Sequence, residues 1–405
     1  MIWKNSNRRN FMSSLAALPV VGGLFPAAAS AAAPRSGAAG RDLIAELGIP
    51  PIINAAGTYT TLTASLMPPE VVGAIAEAAT KYVRLNDLHD AVGARIAELT
   101  KSESALVSAG CASALSQATA ACIAGTDRDK IHMLPDTHGM KDEVIVQKSH
   151  RNGYDHAIRN AGVKMIEVET AEEFEIAVNH KTAMTFYLNG ATPKGKIQHE
   201  EWIALSRKYG IPSLIDSAAD VPPLDNLYRF QRLGFDLVAF SGGKGIRGPQ
   251  SAGLLLGRKD LIAAARMNAS PNSDSLCRTN KVNKEELVGM LAAVELYVNK
   301  DHKAEWKLWE KRCDVIAGQV KKVPSVKTKV FVPELANAVP HLDIQWDEEK
   351  VGRTRDEVIH AMRSGSPQIE LRPGGPPGIT IGVWMMQEGD EEIVGRRLRE
   401  ELEKG

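Results

Sequence analysis

Along the chain, short apolar runs bounded by turn residues alternate with stretches whose apolar positions recur every three or four residues. The runs 104–108, 163–168, 183–188, 212–216, 235–240 and 253–257 read as strands. The stretches 69–83, 91–100, 112–124 and 200–209 carry a helical period, and Thr170 with Glu173 forms a capping-box signature that opens one more helix. Such alternation predicts a mostly parallel sheet with helices on both faces. After position 283 the texture changes. Helical stretches at 284–298 and 301–320 precede strands at 327–332, 341–345, 368–371 and 379–383, interleaved with helices at 354–363 and 390–403. The expected α/β architecture has a large mostly parallel-sheet domain at 67–283, connecting helices at 284–322 and a small C-terminal α/β domain at 323–405, with 34–66 as an N-terminal segment contributing to the active site.

The first residues follow a different rule. A basic start (Lys4, Arg8, Arg9), an apolar stretch over 15–29 and the small residues Ala29-Ser30-Ala31 have the order of a signal peptide, assigned to 1–33. Pro19, Gly22, Gly23 and Pro26 interrupt the apolar stretch, which is also short for a membrane span of about 20 residues. Arg8-Arg9-Asn10-Phe11 resembles the twin-arginine signal, whose export machinery carries folded proteins to the periplasm. The expectation is a periplasmic protein with no stable membrane anchor after cleavage.

Composition narrows the function classes. Lys+Arg and Asp+Glu are equal at 49 each and no long like-charge block occurs, which argues against a nucleic-acid partner. Cys111, Cys122, Cys277 and Cys313 form no C-x-x-C pair, so neither a zinc knuckle nor a thioredoxin-like redox motif is indicated. His132, Asp136 and His138 match no common zinc spacing, and no metal is expected. Trp306 and Trp309, on the helix from 301, are expected to pack against the large domain.

The sharpest chemistry lies in Ser241-Gly-Gly-Lys244-Gly-Ile-Arg-Gly248-Pro249, between two apolar runs. A lysine in a glycine-rich loop has little packing purpose, while the glycines let a ligand approach the backbone. Gly243-x-Gly245-x-x-Gly248 matches the dinucleotide fingerprint formally, but that motif needs a helix N-terminus to hold the pyrophosphate. Pro249 and the strand-like Gly253-Leu-Leu-Leu leave no room for the helix. A Schiff-base lysine is the better reading. Its aldehyde would be pyridoxal 5′-phosphate, which also needs an anion at the ring nitrogen, a phosphate cradle and a group stacked on the ring. Asp216, closing the run 212–216, supplies a carboxylate where α/β sheets bind ligands, although it also suits an N-cap. Ser108-Ala-Gly110-Cys111-Ala112-Ser113 opens a small-residue helix whose N–H groups can cradle phosphate, helped by the Ser108 or Ser113 hydroxyl.

The segment Ser241-Gly-x-Lys244-x-x-x-Gly248-Pro249-Gln250-x-Ala252-Gly253 resembles the lysine segment of the bacterial selenocysteine synthase (L-seryl-tRNA selenium transferase) family and of its relative, D-glucosaminate-6-phosphate ammonia lyase. Ile53-Asn54-Ala-Ala-Gly57-Thr58, Ile96-Ala-Glu-Leu-Thr100 through Ala105-Leu-Val, and Lys281-Val-Asn-Lys284-Glu285 agree with it. The resemblance implies a fold-type-I pyridoxal-phosphate enzyme of the aspartate aminotransferase superfamily, a homodimer or higher homo-oligomer with active sites at subunit interfaces. It implies Lys244 as the Schiff-base lysine, Asp216 as the partner of the ring nitrogen, and Ser241 with Gly110, Cys111 and Ala112 as the phosphate site. His150 becomes the candidate for stacking on the ring. Arg372 stands where superfamily enzymes clamp a substrate carboxylate, a geometry suited to its bidentate fork.

Departures from the synthase limit what carries over. Its asparagine-rich phosphate turn reads Ser-Ala-Gly-Cys here, His150 and Tyr154 replace a glycine-rich stretch, and an export leader replaces the tRNA-binding region. An exported chain meets no charged tRNA, which argues against selenium transfer. The expected activity is α,β-elimination of the ammonia-lyase type on an amino acid or amino-sugar acid. Racemisation or epimerisation and a cofactor-less binding protein are the alternatives.

Overall fold

The computed structural model describes residues 41–373 and 378–404; the signal peptide expected at 1–33 lies outside them. Residues 41–50 form a unit of their own, in which Asp42 caps the one-turn helix Leu43–Glu46.

Seven strands build the large sheet: β2 (Ser104–Ser108), β3 (Glu143–Gln147), β4 (Lys164–Val168), β5 (Thr182–Leu188), β6 (Ser213–Asp216), β7 (Leu237–Ser241) and β8 (Gly253–Gly257), in the order β2-β8-β7-β6-β5-β3-β4. The strands from β7 to β4 run parallel, and β8 runs antiparallel to both β2 and β7. Successive residues divide between the two faces. Leu237 and Ala239 enter one core with Val144, Phe186 and Leu255, while Val238 and Phe240 enter the other with Ile145, Tyr187 and Leu254. Burial on both faces is why these strands read as unbroken apolar runs rather than as alternation. The sequence reading missed β3, whose three apolar residues sit between Glu143 and Gln147. Gln147 is tolerated in the interior because its amide accepts from Ile197 N–H and donates to Ile197 C=O, both at 2.9 Å.

The second sheet joins β1 (Ile52–Ala55) to β9 (Lys327–Phe331), β10 (His341–Gln345), β11 (Gln368–Pro373) and β12 (Gly378–Gly382), in the order β1-β11-β12-β10-β9. β1 lies parallel to β11, with Ile52 opposite Gln368, so part of the N-terminal segment completes the small sheet.

The two helices expected to connect the domains divide between them. Lys284–Asn299 buries Leu287, Met290 and Val294 in a core of the large domain. His302–Val320 buries Trp309, Cys313 and Ile316 in the core of the small one. The Trp306/Trp309 pair therefore belongs to the small domain and not against the large one as expected, with Trp309 edge-on to Trp384 at 6.4 Å. Both helices start at polar caps. Asn283 and Glu286 form a reciprocal capping box, and Asp301 accepts from Lys303 and Ala304 N–H. No described helix is long and apolar enough to cross a membrane.

Candidate functional site

Because β8 reverses direction against both β2 and β7, the ends of β2, β6 and β7 face the same way. Three sequence-predicted groups are gathered there: Asp216 at the end of β6, Ser241 at the end of β7, and the helix Gly110–Ala124 that follows β2. The strand β8 reaches the helix N-terminus only because its first residue is glycine. A Cβ on Gly253 would lie 2.4 Å from the Gly110 carbonyl carbon and 2.7 Å from the Cys111 nitrogen. The helix start carries no side-chain cap, Gly110 is half-buried and Ala112 is exposed, which leaves a donor-rich terminus for an anion. Ser241 pairs with Gly253 and makes no side-chain hydrogen bond among the described residues.

Asp216 is 5% exposed. Its Oδ1 accepts from Ala218 N–H at 2.9 Å and faces the Cys111 thiol at 3.6 Å, while Oδ2 has no hydrogen bond among the described residues. Burial raises its pKa, against the Ala218 N–H and the positive charge of Lys244. Lys244 is half-buried and enters no ion pair among the described residues. Its loop is pressed against the chain after β6, since a Cβ on Gly245 would meet the Val221 carbonyl oxygen at 2.1 Å. The N-terminal segment lies over the same loop: Ser65 Oγ donates to Gly243 C=O at 2.7 Å, and Gln250 Nε2 donates to Thr60 C=O at 3.1 Å.

Two predicted cofactor contacts need correction. Ser108 is fully buried, and its hydroxyl donates to Gly110 C=O at 2.9 Å, so it shapes the turn and has no proton free for phosphate. His150 is likewise fully buried. Leu188 N–H donates to its Nδ1 at 3.2 Å, Gln147 lies against Nε2, and the Tyr187 ring stands edge-on at 4.4 Å. With neither face open, His150 cannot stack on a cofactor in this conformation; burial, with His199 nearby, lowers its pKa to about 4. The Ser113 hydroxyl is buried without a partner.

Arg372 is exposed on β11, opposite Thr380, and makes no ion pair among the described residues. Its charge is felt by His341, but no contact joins it to Lys244 or Asp216. His132, Asp136 and His138 are exposed, and among the described residues no three His, Cys, Asp or Glu side chains could hold a metal. All four cysteines are free thiols.

The sequence reading overlooked Asp220. This carboxyl is 3% exposed and accepts from Ala336 N–H at 3.0 Å, with the Asn189 side chain nearby. Beside it Ala219 C=O accepts from Asn337 N–H at 2.7 Å, and Thr58 Oγ1 lies 3.4 Å from Asn337 Oδ1. The loop 336–337 of the small domain is thus pinned to the chain after β6. Burial is the main cause that lifts the Asp220 pKa to about 6. The available signal was the second carboxylate four residues after Asp216.

The profile of the L-seryl-tRNA selenium transferase family matches residues 52–323. The chain belongs to that family. It is 31% identical over 374 residues to the 5′-C-glycyluridine monooxygenase-decarboxylase of a Streptomyces species, covering 88% of this chain and 91% of that one. With the D-glucosaminate-6-phosphate ammonia lyase of Salmonella typhimurium it shares 26% over 371 residues, covering 88% and 96%. With the L-seryl-tRNA(Sec) selenium transferase of Aquifex aeolicus it shares 26% over 370 residues, covering 79% and 77%. The solved D-glucosaminate-6-phosphate ammonia-lyase superposes with a TM-score of 0.79 at 25% identity, over 90% of this chain and 99% of that one. Serine palmitoyltransferase of Sphingomonas wittichii, at 12% identity and a TM-score of 0.54, shares the fold.

The fold is that of fold-type-I pyridoxal-phosphate enzymes, and pyridoxal 5′-phosphate is the cofactor of this family member. The residues present fit it. The uncapped helix start and Ser241 suit a phosphate, Asp216 Oδ2 is free for a ring nitrogen, and Lys244 has no competing carboxylate partner.

Proposed function

We propose that this protein is an exported pyridoxal-phosphate-dependent lyase that releases ammonia from a β-substituted amino acid or amino-sugar acid, leaving a 2-oxo acid. The observation that carries the reading is Asp216 at the end of β6 and Lys244 in the loop after the adjacent parallel strand β7, beside an uncapped helix terminus, in a chain that aligns with an ammonia lyase over nearly its whole length. Export rests on the order of charge and hydropathy in residues 1–33. Exposed Leu66, Val72, Tyr82 and Val83 support assembly with further copies of the chain.

Pyridoxal phosphate, when bound, supplies an electron sink for the charge left when a substrate Cα–H bond breaks. The chain's own part is to hold and to move protons. N–H groups at Gly110, Cys111 and Ala112, with Ser241, bind the phosphate. Asp216 Oδ2 holds a proton on the ring nitrogen and so keeps the sink effective. With the cofactor bound, the Lys244 amine would take the Cα proton and return it to the leaving group at Cβ. For a β-hydroxy amino acid, loss of that proton and the hydroxyl releases water. Hydrolysis of the resulting enamine consumes one water and leaves the 2-oxo acid and ammonia. Racemisation would call for a second acid on the opposite face; Asp220, a carboxyl whose charge Lys244 and Asp216 act on, is enclosed and held by Ala336 N–H.

The test is a substrate screen in deuterated water on cofactor-loaded protein, with borohydride reduction and peptide mass spectrometry alongside. Ammonia, a 2-oxo acid and an adduct on Lys244 are expected. An adduct elsewhere, or inverted α-deuterated amino acid without keto product, overturns the reading. A second reading, oxygen-dependent decarboxylation, is favoured by the 31% identity to the monooxygenase-decarboxylase; oxygen uptake matched by carbon dioxide release would select it.

A further inference from the structure

Cys111 sits at the second position of the helix Gly110–Ala124 and is almost fully buried. Its backbone belongs to the turn assigned to phosphate, yet its Sγ reaches the other end of the site, 3.6 Å from Asp216 Oδ1. The direction of the bond is fixed by chemistry. Burial and the carboxylates of Asp216 and Asp220 push the thiol well above its ordinary pKa, with Lys244 opposing, so it is S–H at neutral pH and donates. Oδ1 is then held by two donors, Ala218 N–H at 2.9 Å and the Cys111 thiol, while Oδ2 has none among the described residues.

We propose that Cys111 is a positioning residue for Asp216: its thiol ties up Oδ1, fixes the plane of the carboxylate and leaves Oδ2 to the ring nitrogen of the cofactor. This rests on the site assigned to Lys244 and Asp216 above. The choice of sulfur has a consequence. A thiol is a weak donor, so it orients the carboxylate while drawing little negative charge from it. A hydroxyl is the stronger donor but sits on a shorter bond, so it would have to draw Oδ1 toward it from the 3.6 Å it keeps from the sulfur, and in doing so it competes with the ring nitrogen for that charge. The same residue also links the two ends of the site, since its N–H lies at the helix terminus where β8 closes in through Gly253. A shift of the first helical turn is therefore transmitted to the Asp216 carboxylate through one side chain.

The experiment compares full-length wild type, Cys111→Ala and Cys111→Ser, each loaded with pyridoxal phosphate. It follows the visible absorption of bound cofactor against pH, the cofactor dissociation constant by fluorescence, and kcat and KM separately. Borohydride labelling of Lys244 in the wild type tests the site itself; if that fails, the reading of the site is at fault and not the role of Cys111. With the wild type labelled, Cys111→Ala is expected to shift the midpoint of the spectral titration, to weaken cofactor binding about tenfold, and to lower kcat more than it raises KM. Cys111→Ser, close in volume and still a donor, should keep binding near the wild type while moving the midpoint. Two results overturn the proposal: a Cys111→Ala titration superimposable on the wild type, or equal losses in both variants, which would assign the effect to packing.

Discussion

Asp220 offers a measurement of what the site costs the fold. Its carboxyl is 3% exposed and its pKa is raised from 3.8 to about 6, mainly by burial. A group whose folded pKa lies above its unfolded value contributes its full stability below the unfolded pKa and loses it as pH rises through the folded one. The loss here falls between pH ~4 and ~6 and amounts to about 3 kcal/mol, at 1.36 kcal/mol per pH unit. Asp220→Asn mimics the neutral form. Its amide oxygen can still accept from Ala336 N–H. The variant and the wild type should therefore have similar stability near pH 4, and the variant should be more stable by about 3 kcal/mol at pH 7. Urea unfolding at half-unit pH steps, with the difference between the two proteins plotted against pH, measures this directly. A difference that stays flat from pH 4 to 7 refutes the reasoning, because the penalty would then not come from ionising this carboxyl.

Gly253→Ala should force β8 away from the helix terminus, since its Cβ would meet backbone at 2.4 Å; a loss of about 3 kcal/mol in unfolding free energy, with weaker cofactor binding by fluorescence titration, is expected. Asp216→Asn should retain cofactor yet lose turnover by about two orders of magnitude in steady-state assays, since an amide cannot hold the ring-nitrogen charge. If Arg372 clamps a substrate carboxylate, Arg372→Lys should raise KM and leave kcat nearly unchanged. Replacing Arg8 and Arg9 by lysine should trap the precursor in the cytoplasm, with the leader still attached on an immunoblot.

Much of the large sheet was legible because strands buried on both faces leave apolar runs in the sequence. The lysine loop was legible because a lysine among glycines, between two apolar runs, has little packing purpose. The limits fell where tertiary packing assigns a polar group its partner. Nothing in the sequence around Ser108 says that Gly110 C=O consumes its proton, and nothing around His150 says that Leu188, Gln147 and Tyr187 close over its ring. The position of Asp220, four residues after Asp216, could be read, but its burial could not, since its partner Ala336 comes from the small domain. The run Glu143–Gln147 escaped because an interior glutamine, bonded to the backbone at Ile197, breaks the apolar pattern. The two helices after 283 look alike in sequence, and only the cores they enter separate them.

The pairing of β1 with β11 has a consequence for how the chain is made. Ile52 emerges from the ribosome long before its neighbour in the sheet, Gln368, is synthesised. Throughout most of translation β1 lacks its one neighbour in the small sheet, β11. Long-range parallel pairing of this kind is slow to form and leaves an open strand edge in the meantime. A chain interrupted before β11 would carry the complete large sheet with its lysine and aspartate in place, and still expose the strand at 52–55 to any other unfinished copy.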